Sequence, residues 1–326
     1  MAQALDMVAG ITVVVPVYNS QGSLGPLLAR LEPVLRAQNV PFEVVLVNDG
    51  SKDQSWAVLV ALAAEKSWVR AINLMRNYGQ HNALLCGIRA ARYDTLVTID
   101  DDLQNPPEEI PALLAKLREG FDVVYGKPRQ ERHGLWRDLA SQITKMVLQK
   151  AMGAETARNI SAFRAFRTAL RQSFAEYRSP LVSIDVLLTW GTSRFTAIAV
   201  RHDPRAVGQS NYTVRKLMLH ATNMMTGFST WPLRVASMVG FAFTAFGIGV
   251  LGFVLARYMR YGSPVQGFPF LASVVAIFSG AQLFALGIMG EYLARIHQRM
   301  LERPAYTVAA RVGEPQGAGE GGGSVP

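Results

Sequence analysis

The sequence predicts an α/β domain built on a parallel sheet, followed by a pair of apolar helices able to cross a membrane. Three observations carry that expectation. Residues 11 to 127 alternate strand-like runs with helical periodicity, residues 235–256 and 270–290 contain no Asp, Glu, Lys or Arg, and the run "LVTI" drives straight into Asp100, Asp101 and Asp102. Strands that alternate with helices in this way belong to sheets whose parallel strands are joined by helical crossovers.

The strand candidates are "ITVVVPV", "FEVVLV", "VRAINL", "DTLVTI" and "DVVYG". The best-defined helix begins at "NPPEEIPALLAKL". There Asn105 can cap, Pro106 suits the first turn, Glu108 and Glu109 favour the positive end, and Ile110, Leu113, Leu114 and Leu117 form one apolar face. In "GLWRDLASQITKMVLQKAMG", Leu135, Leu139, Ile143, Met146 and Val147 share a helical face. That face suits either an interfacial helix on a membrane or an ordinary core helix. The segment "YTVRKLMLHATNMMTGF", directly before the first apolar span, leans towards the interface. The expected division is a catalytic domain over 1–210, an interfacial segment over 211–230, a membrane hairpin over 231–296 and a tail over 297–326, disordered after about 311 because of its glycine content.

At 1.5 Å per residue the uncharged run 235–256 is long enough to cross a hydrocarbon layer of about 30 Å, and about 20 residues from Phe270 can return. Arg215, Lys216 and Arg234 precede the first span and Arg295, Arg299, Arg303 and Arg311 follow the second, whereas the connector holds only Arg257 and Arg260. That bias predicts that both flanks are cytoplasmic. Residues 1 to 10 lack the basic and apolar regions of a signal peptide. The single cysteine, Cys86, rules out an internal disulfide and fits a reducing compartment. The net charge of +9 is explained by basic juxtamembrane segments better than by nucleic-acid binding. "GIGVLG", Gly247 to Gly252, matches a dinucleotide fingerprint but lies inside the first span, where small residues serve helix packing instead.

Three carboxylates at one strand tip repel one another, so a compensating cation is expected. Asp100, Asp102 and the amide of Gln104 alternate, and such oxygen ligands suit a hard divalent ion that also bridges phosphates. The alternative is a solvated acidic turn with Asp102 or Asn105 as a helix cap. At the second strand end, Asp49 and Ser51 in "VNDGSKD" can hydrogen-bond a base or ribose, or merely form a turn. At the third, "RNYGQHNA" sets Arg76 and Gly79 where a guanidinium and a close backbone can meet a phosphate, or where a turn carries a surface arginine. The five histidines show no metal-ligand spacing.

Taken together, "VVVPVYNS", "LVNDGSKD", "RNYGQHNALLCGI", "IDDDLQNPPEEIP", "RAVGQSNY" and "GEYLARIHQRMLERPAY" resemble the family 2 glycosyltransferases that act on polyisoprenyl phosphates. "RNYGQH" and "DLQNPPEEIP" look most like the branch that transfers formamidoarabinose to undecaprenyl phosphate. The resemblance spans roughly residues 11 to 308 and implies a GT-A fold, a nucleotide-sugar donor (UDP by likeness to bacterial relatives), Mg²⁺ or Mn²⁺, a polyprenyl-phosphate acceptor and a homo-oligomer, a tetramer in the family. It further implies that Pro16, Tyr18, Asn19, Asp49, Ser51, Arg76, Gly79, Asp101 and Ser210 bind the nucleotide-sugar and that Asp100, Asp102 and Gln104 hold the metal. Arg129, Arg137 and Ser141 would meet the acceptor phosphate, and Arg205 the donor phosphates. Relatives usually have Lys where Asn211 stands, and some have an acidic residue where Ala162 stands. A phosphate monoester is largely anionic at pH 7 and needs no strong base, so direct displacement with inversion is expected. Asp185 is open between a sugar contact and a capping or solvent-facing role. A processive polysaccharide synthase is disfavoured by the absence of QxxRW, and a catalytically silent membrane scaffold by retention of Asp100, Asp102, Gln104 and Arg205.

Overall fold

Every apolar run identified as a strand is buried on both faces, which is why it alternates between two helical layers rather than between core and water. The computed structural model describes residues 8–128, 160–180, 182–203, 231–261 and 268–314. Strands β1 (Val8–Val17), β2 (Phe42–Asn48), β3 (Val69–Leu74), β4 (Tyr93–Thr98) and β5 (Val123–Pro128) coincide with the five strand-like runs. Helices α1 (Leu24–Arg36), α2 (Ser55–Glu65), α3 (Gln80–Ala90) and α4 (Ile110–Arg118) connect them. Along β1, Val13, Val15 and Val17 pack into one core with Leu24, Leu27, Leu28 and Leu31 of α1, while Val14 joins Leu84, Leu85 and Ile88 of α3 in the other. Successive side chains point to opposite faces, so one continuous apolar strand serves both cores.

The eight-stranded sheet has the order β7-β5-β6-β4-β1-β2-β3-β8. It is mixed rather than wholly parallel: β1 to β4 run parallel, but β6 (Arg164–Arg167) lies antiparallel between β4 and β5, and β8 (Val308–Val312) lies antiparallel on β3. Strand β7 (Phe195–Val200) is parallel to β5. The chain winds outward on both sides of the β1/β4 pair, which makes the carboxyl ends of those two strands the switch point where open α/β sheets bind ligands.

Helix α4 begins later than the sequence suggests. A 3₁₀ turn over Pro107–Glu109 precedes it, and Asn105 is buried without making a capping bond, so the proline pair rather than an asparagine cap sets the helix start. Ile110, Leu113, Leu114 and Leu117 do form its buried face. Asp185 is buried and does not face solvent. At the start of α5 (Ile184–Thr189) it is ion-paired with Arg164, itself 1% exposed, and accepts the Tyr125 hydroxyl at 3.1 Å. Arg164 also donates through Nε to Thr98 Oγ1 at 3.2 Å, so the pair ties β6 and α5 to β4 beneath the switch point. Burial and the adjoining carboxylate push the Tyr125 hydroxyl well above its usual range, so it stays a proton donor.

A second unit contains helices α6 (Trp231–Tyr261) and α7 (Phe268–Met300), which are long and apolar enough to cross a membrane. The two amphipathic segments proposed for the interface fall within 129–159 and 204–230, outside the described residues. After α7 the chain rejoins the α/β unit at Arg303. The stretch set apart as a tail thus supplies the edge strand β8 and ends in an ion-pair chain. Arg70 on β3, 5% exposed, bonds Glu43 of β2 at 2.9 Å and Glu314 at 3.1 Å, and Glu43 also accepts Thr12 Oγ1 at 2.9 Å. Removing the arginine would take from the buried Glu43 its nearest cation and leave only the Arg92 guanidinium at 3.9 Å, a loss below the ~3–5 kcal/mol of a wholly uncompensated buried charge. Arg70→Ala is therefore expected to lower the melting temperature of the detergent-solubilised protein and to speed hydrogen exchange across Val308–Val312; wild-type behaviour in both would contradict this role.

Candidate active site

Four loops emerge at the carboxyl ends of β1 to β4, and hydrogen bonds lace them into a ring. The loop after β1 is fastened to the β4 end, where the Tyr18 N–H donates to Asp101 Oδ2 at 3.3 Å. It is fastened to the β2 loop by the Asn19 N–H on Ser51 Oγ at 3.0 Å and by Asn19 Oδ1, which accepts the Lys52 N–H at 2.8 Å. Asn19 has φ +54, a conformation asparagine tolerates better than most residues. The β2 and β3 loops are joined by Asp49, whose two carboxylate oxygens accept the Tyr78 and Gly79 N–H groups at 2.7 and 2.9 Å. Beside it Gly50, at φ +66, lies so close to Arg76 and Asn77 that a Cβ would sit 2.5 Å from their backbone, so only glycine allows this approach. The ring closes where Gln80 Nε2 donates to Asp100 Oδ1 at 2.7 Å.

The carboxylates therefore divide their work. Burial raises the Asp49 carboxyl above its usual range against the pull of the Tyr78 and Gly79 N–H groups, and burial likewise raises Asp101 against its bonds from Ser20 and Tyr18. Asp49 and Asp101 hold loops. Asp100, Asp101 and Asp102 are all partly buried, and Leu103, at φ +62, turns the chain so that the Gln104 N–H reaches Asp102 Oδ1 at 3.1 Å. The Gln104 carbonyl accepts the Asp203 N–H at 2.8 Å, which fastens this tip to the chain leaving β7. An exposed ion-pair group of Arg30, Glu108, Arg201 and Asp203 flanks it.

Other expected contacts fall as follows. Pro16 is buried in β1 opposite Val47, Tyr18 is exposed, and Ser51 Oγ donates to Asn48 Oδ1 at 2.5 Å. Arg76 is exposed with its guanidinium stacked 4.6 Å over the Tyr78 ring, and Gly79 takes φ +97 at the entry to α3. Arg129, Arg137, Ser141, Arg205, Ser210 and Asn211 lie outside the described residues. The sequence reading did not single out Gln80, Asp203 or the strand β8. Yet the Thr307 carbonyl of the approach to β8 accepts the Met75 N–H at 2.9 Å, and Tyr78 bonds Thr307, so the chain returning from α7 braces the β3 loop. Cys86 is buried with its thiol pushed up to about 12, chiefly by desolvation, which makes it inert.

Two carboxylates and an amide form a hard-oxygen donor set that suits Mg²⁺ or Mn²⁺. Among the described residues no group of three His, Cys, Asp or Glu side chains forms a metal cluster, so remaining positions would fall to Gln104, water and phosphate oxygens.

A doubly wound sheet with a D-x-D tip at its switch point is the GT-A fold of glycosyltransferases. The profile described as Glycosyl transferase family 2 matches residues 12–177, and the chain belongs to that family. It is 35% identical over 314 residues to the undecaprenyl-phosphate 4-deoxy-4-formamido-L-arabinose transferase of Yersinia enterocolitica, covering 95% of this chain and 96% of that one. It is 38% identical over 304 residues to the protein of the same name from Pseudomonas aeruginosa, covering 91% and 89%. Among solved structures, glucosyl-3-phosphoglycerate synthase from Mycobacterium tuberculosis in complex with Mn²⁺, UDP and phosphoglyceric acid superposes with a TM-score of 0.51 at 19% identity, covering 67% of this chain and 76% of that one. That likeness supports the fold alone.

Asp49→Asn would set an amide NH₂ against one of the two backbone donors and slacken the Arg76–Gly79 loop. UDP binding measured by calorimetry is expected to weaken about tenfold, the size of one charge-assisted hydrogen bond. A pH test carries a sign: a raised carboxyl stabilises the fold most when protonated, and that contribution is lost as pH rises through its folded value. The wild-type advantage in melting temperature over Asp49→Asn should therefore shrink from about pH 4 to about pH 7. An advantage that grows would show that the carboxylate form is the stable one.

Proposed function

We propose that this chain transfers a single glycosyl group from a nucleotide-sugar, a UDP-sugar, to undecaprenyl phosphate at the cytoplasmic face of the bacterial inner membrane, with inversion at the anomeric carbon. The observation that carries the reading is the strand tip of Asp100, Asp102 and Gln104 at the β1/β4 switch point, held ready by Gln80 and Asp203. Those three residues would hold Mg²⁺ or Mn²⁺, which when bound supplies Lewis-acid stabilisation of the departing diphosphate. Donor recognition falls to Asp49, Ser51 and the loops that they order, with Tyr18 and Arg76 exposed beside them. Arg205 is assigned to the donor phosphates.

The acceptor is its own nucleophile. With a second pKa near 6, a phosphate monoester is mostly dianionic at neutral pH, so the protein's task is to position it in line with the bond to the leaving diphosphate. Arg129, Arg137 and Ser141 are assigned to that headgroup. One phosphate oxygen bonds to the anomeric carbon as the bond to the donor's diphosphate oxygen breaks, which inverts the centre. Membrane localisation is supported by α6 and α7, which are long and apolar enough to cross a bilayer. The relatives make a nucleotide-linked 4-deoxy-4-formamido-L-arabinose the first donor to assay. A homo-oligomer is also proposed.

Asp102→Asn is expected to fold normally and to lose at least about 100-fold in transfer, read as glycosylated lipid by mass spectrometry after incubating membranes with donors and undecaprenyl phosphate. Wild-type turnover in excess EDTA would contradict the metal assignment. Nucleotide binding with no lipid product from any donor would leave a silent scaffold instead of an enzyme.

A further inference from the structure

The geometry points to Gln80 as a positioning residue that orients Asp100 for the divalent cation, a role that rests on the metal-dependent reading above. Gln80 is the first residue of α3, and its neighbours are anchored independently of it. Gly79 donates to Asp49 Oδ2 at 2.9 Å, His81 Nδ1 accepts the Ile184 N–H at 3.3 Å, and Asn82 Nδ2 donates to the Pro180 carbonyl at 3.2 Å. The helix start is thus pinned to β2 on one side and to the approach to α5 on the other. From this mount the exposed Gln80 carboxamide reaches the β4 tip and donates to Asp100 Oδ1 at 2.7 Å.

The chemistry of that bond suits its place. Asp100 adjoins two further aspartates, and like charges drive such side chains apart unless something holds them. A neutral carboxamide donates one N–H to a single carboxylate oxygen and leaves Asp100 its negative charge, which is what attracts a cation. Because it carries no charge it does not compete with that cation, as a lysine there would. Partners of this kind fix ligand orientation, and their loss typically costs 10- to 100-fold in metal affinity.

The test uses the full-length protein in detergent. Free Mn²⁺ is followed by electron paramagnetic resonance during titration with saturating UDP present. Gln80→Ala is expected to raise the Mn²⁺ dissociation constant by about 10- to 100-fold, to leave UDP affinity in EDTA at the wild-type value, and to recover kcat when Mn²⁺ is supplied in excess. Rescue by metal separates positioning from a structural defect, which added Mn²⁺ would not repair. A wild-type Mn²⁺ constant in Gln80→Ala overturns the role of Gln80 alone. If the wild-type chain retains no Mn²⁺ beside UDP, the metal reading and the role of Gln80 fall together.

Discussion

The site depends on a single electrostatic constraint: four carboxylates, Asp49 after β2 and Asp100, Asp101 and Asp102 after β4, stand at the ends of the two parallel strands that flank β1, and each needs a partner. The fold answers with backbone N–H groups for Asp49 and Asp101 and with side-chain and backbone donors for Asp100 and Asp102. Burial makes the first pair costly to ionise, so they serve as fixed points between loops. The second pair is partly buried and accepts the Gln80 amide and the Gln104 N–H. Loop order and ligand order are thereby the same problem, because the donors that neutralise the buried aspartates are the backbone of the loops that would surround a nucleotide.

The same logic extends outward from the ring. Asp203 fastens the Gln104 tip to the chain leaving β7, and Thr307 fastens the β3 loop to the chain returning from α7. Beneath the ring, Arg164 and Asp185 satisfy each other inside the sheet, where either alone would be a buried unpaired charge. A segment that reads as a C-terminal tail thus becomes part of the sheet, with Arg70 clasping Glu43 and Glu314.

The five strands and the two apolar helices were legible because each is a predominantly apolar run, and the acidic tip was legible because three successive aspartates are costly anywhere. Strand β6 was not, since "RAFR" is four residues with arginine at both ends, and its burial depends on Asp185, which lies 21 positions away. Strand β8, "VAARV", offers little apolar signal, and only pairing with β3 makes it a strand. Asp49 was recognised as a site residue, but its two backbone bonds span about 30 positions and no local pattern encodes them. Gln80 carried no signal of its own, because its reach to Asp100 exists only once the sheet is assembled.

The most direct test is a structure of the full-length protein with Mn²⁺ and UDP, with the metal located by its anomalous scattering. The account predicts a single peak within ligand distance of Asp100, Asp102 and the diphosphate, with the base on the loop held by Asp49. Diphosphate bound elsewhere on the chain, with the Asp100 and Asp102 side chains directed into solvent, would contradict it.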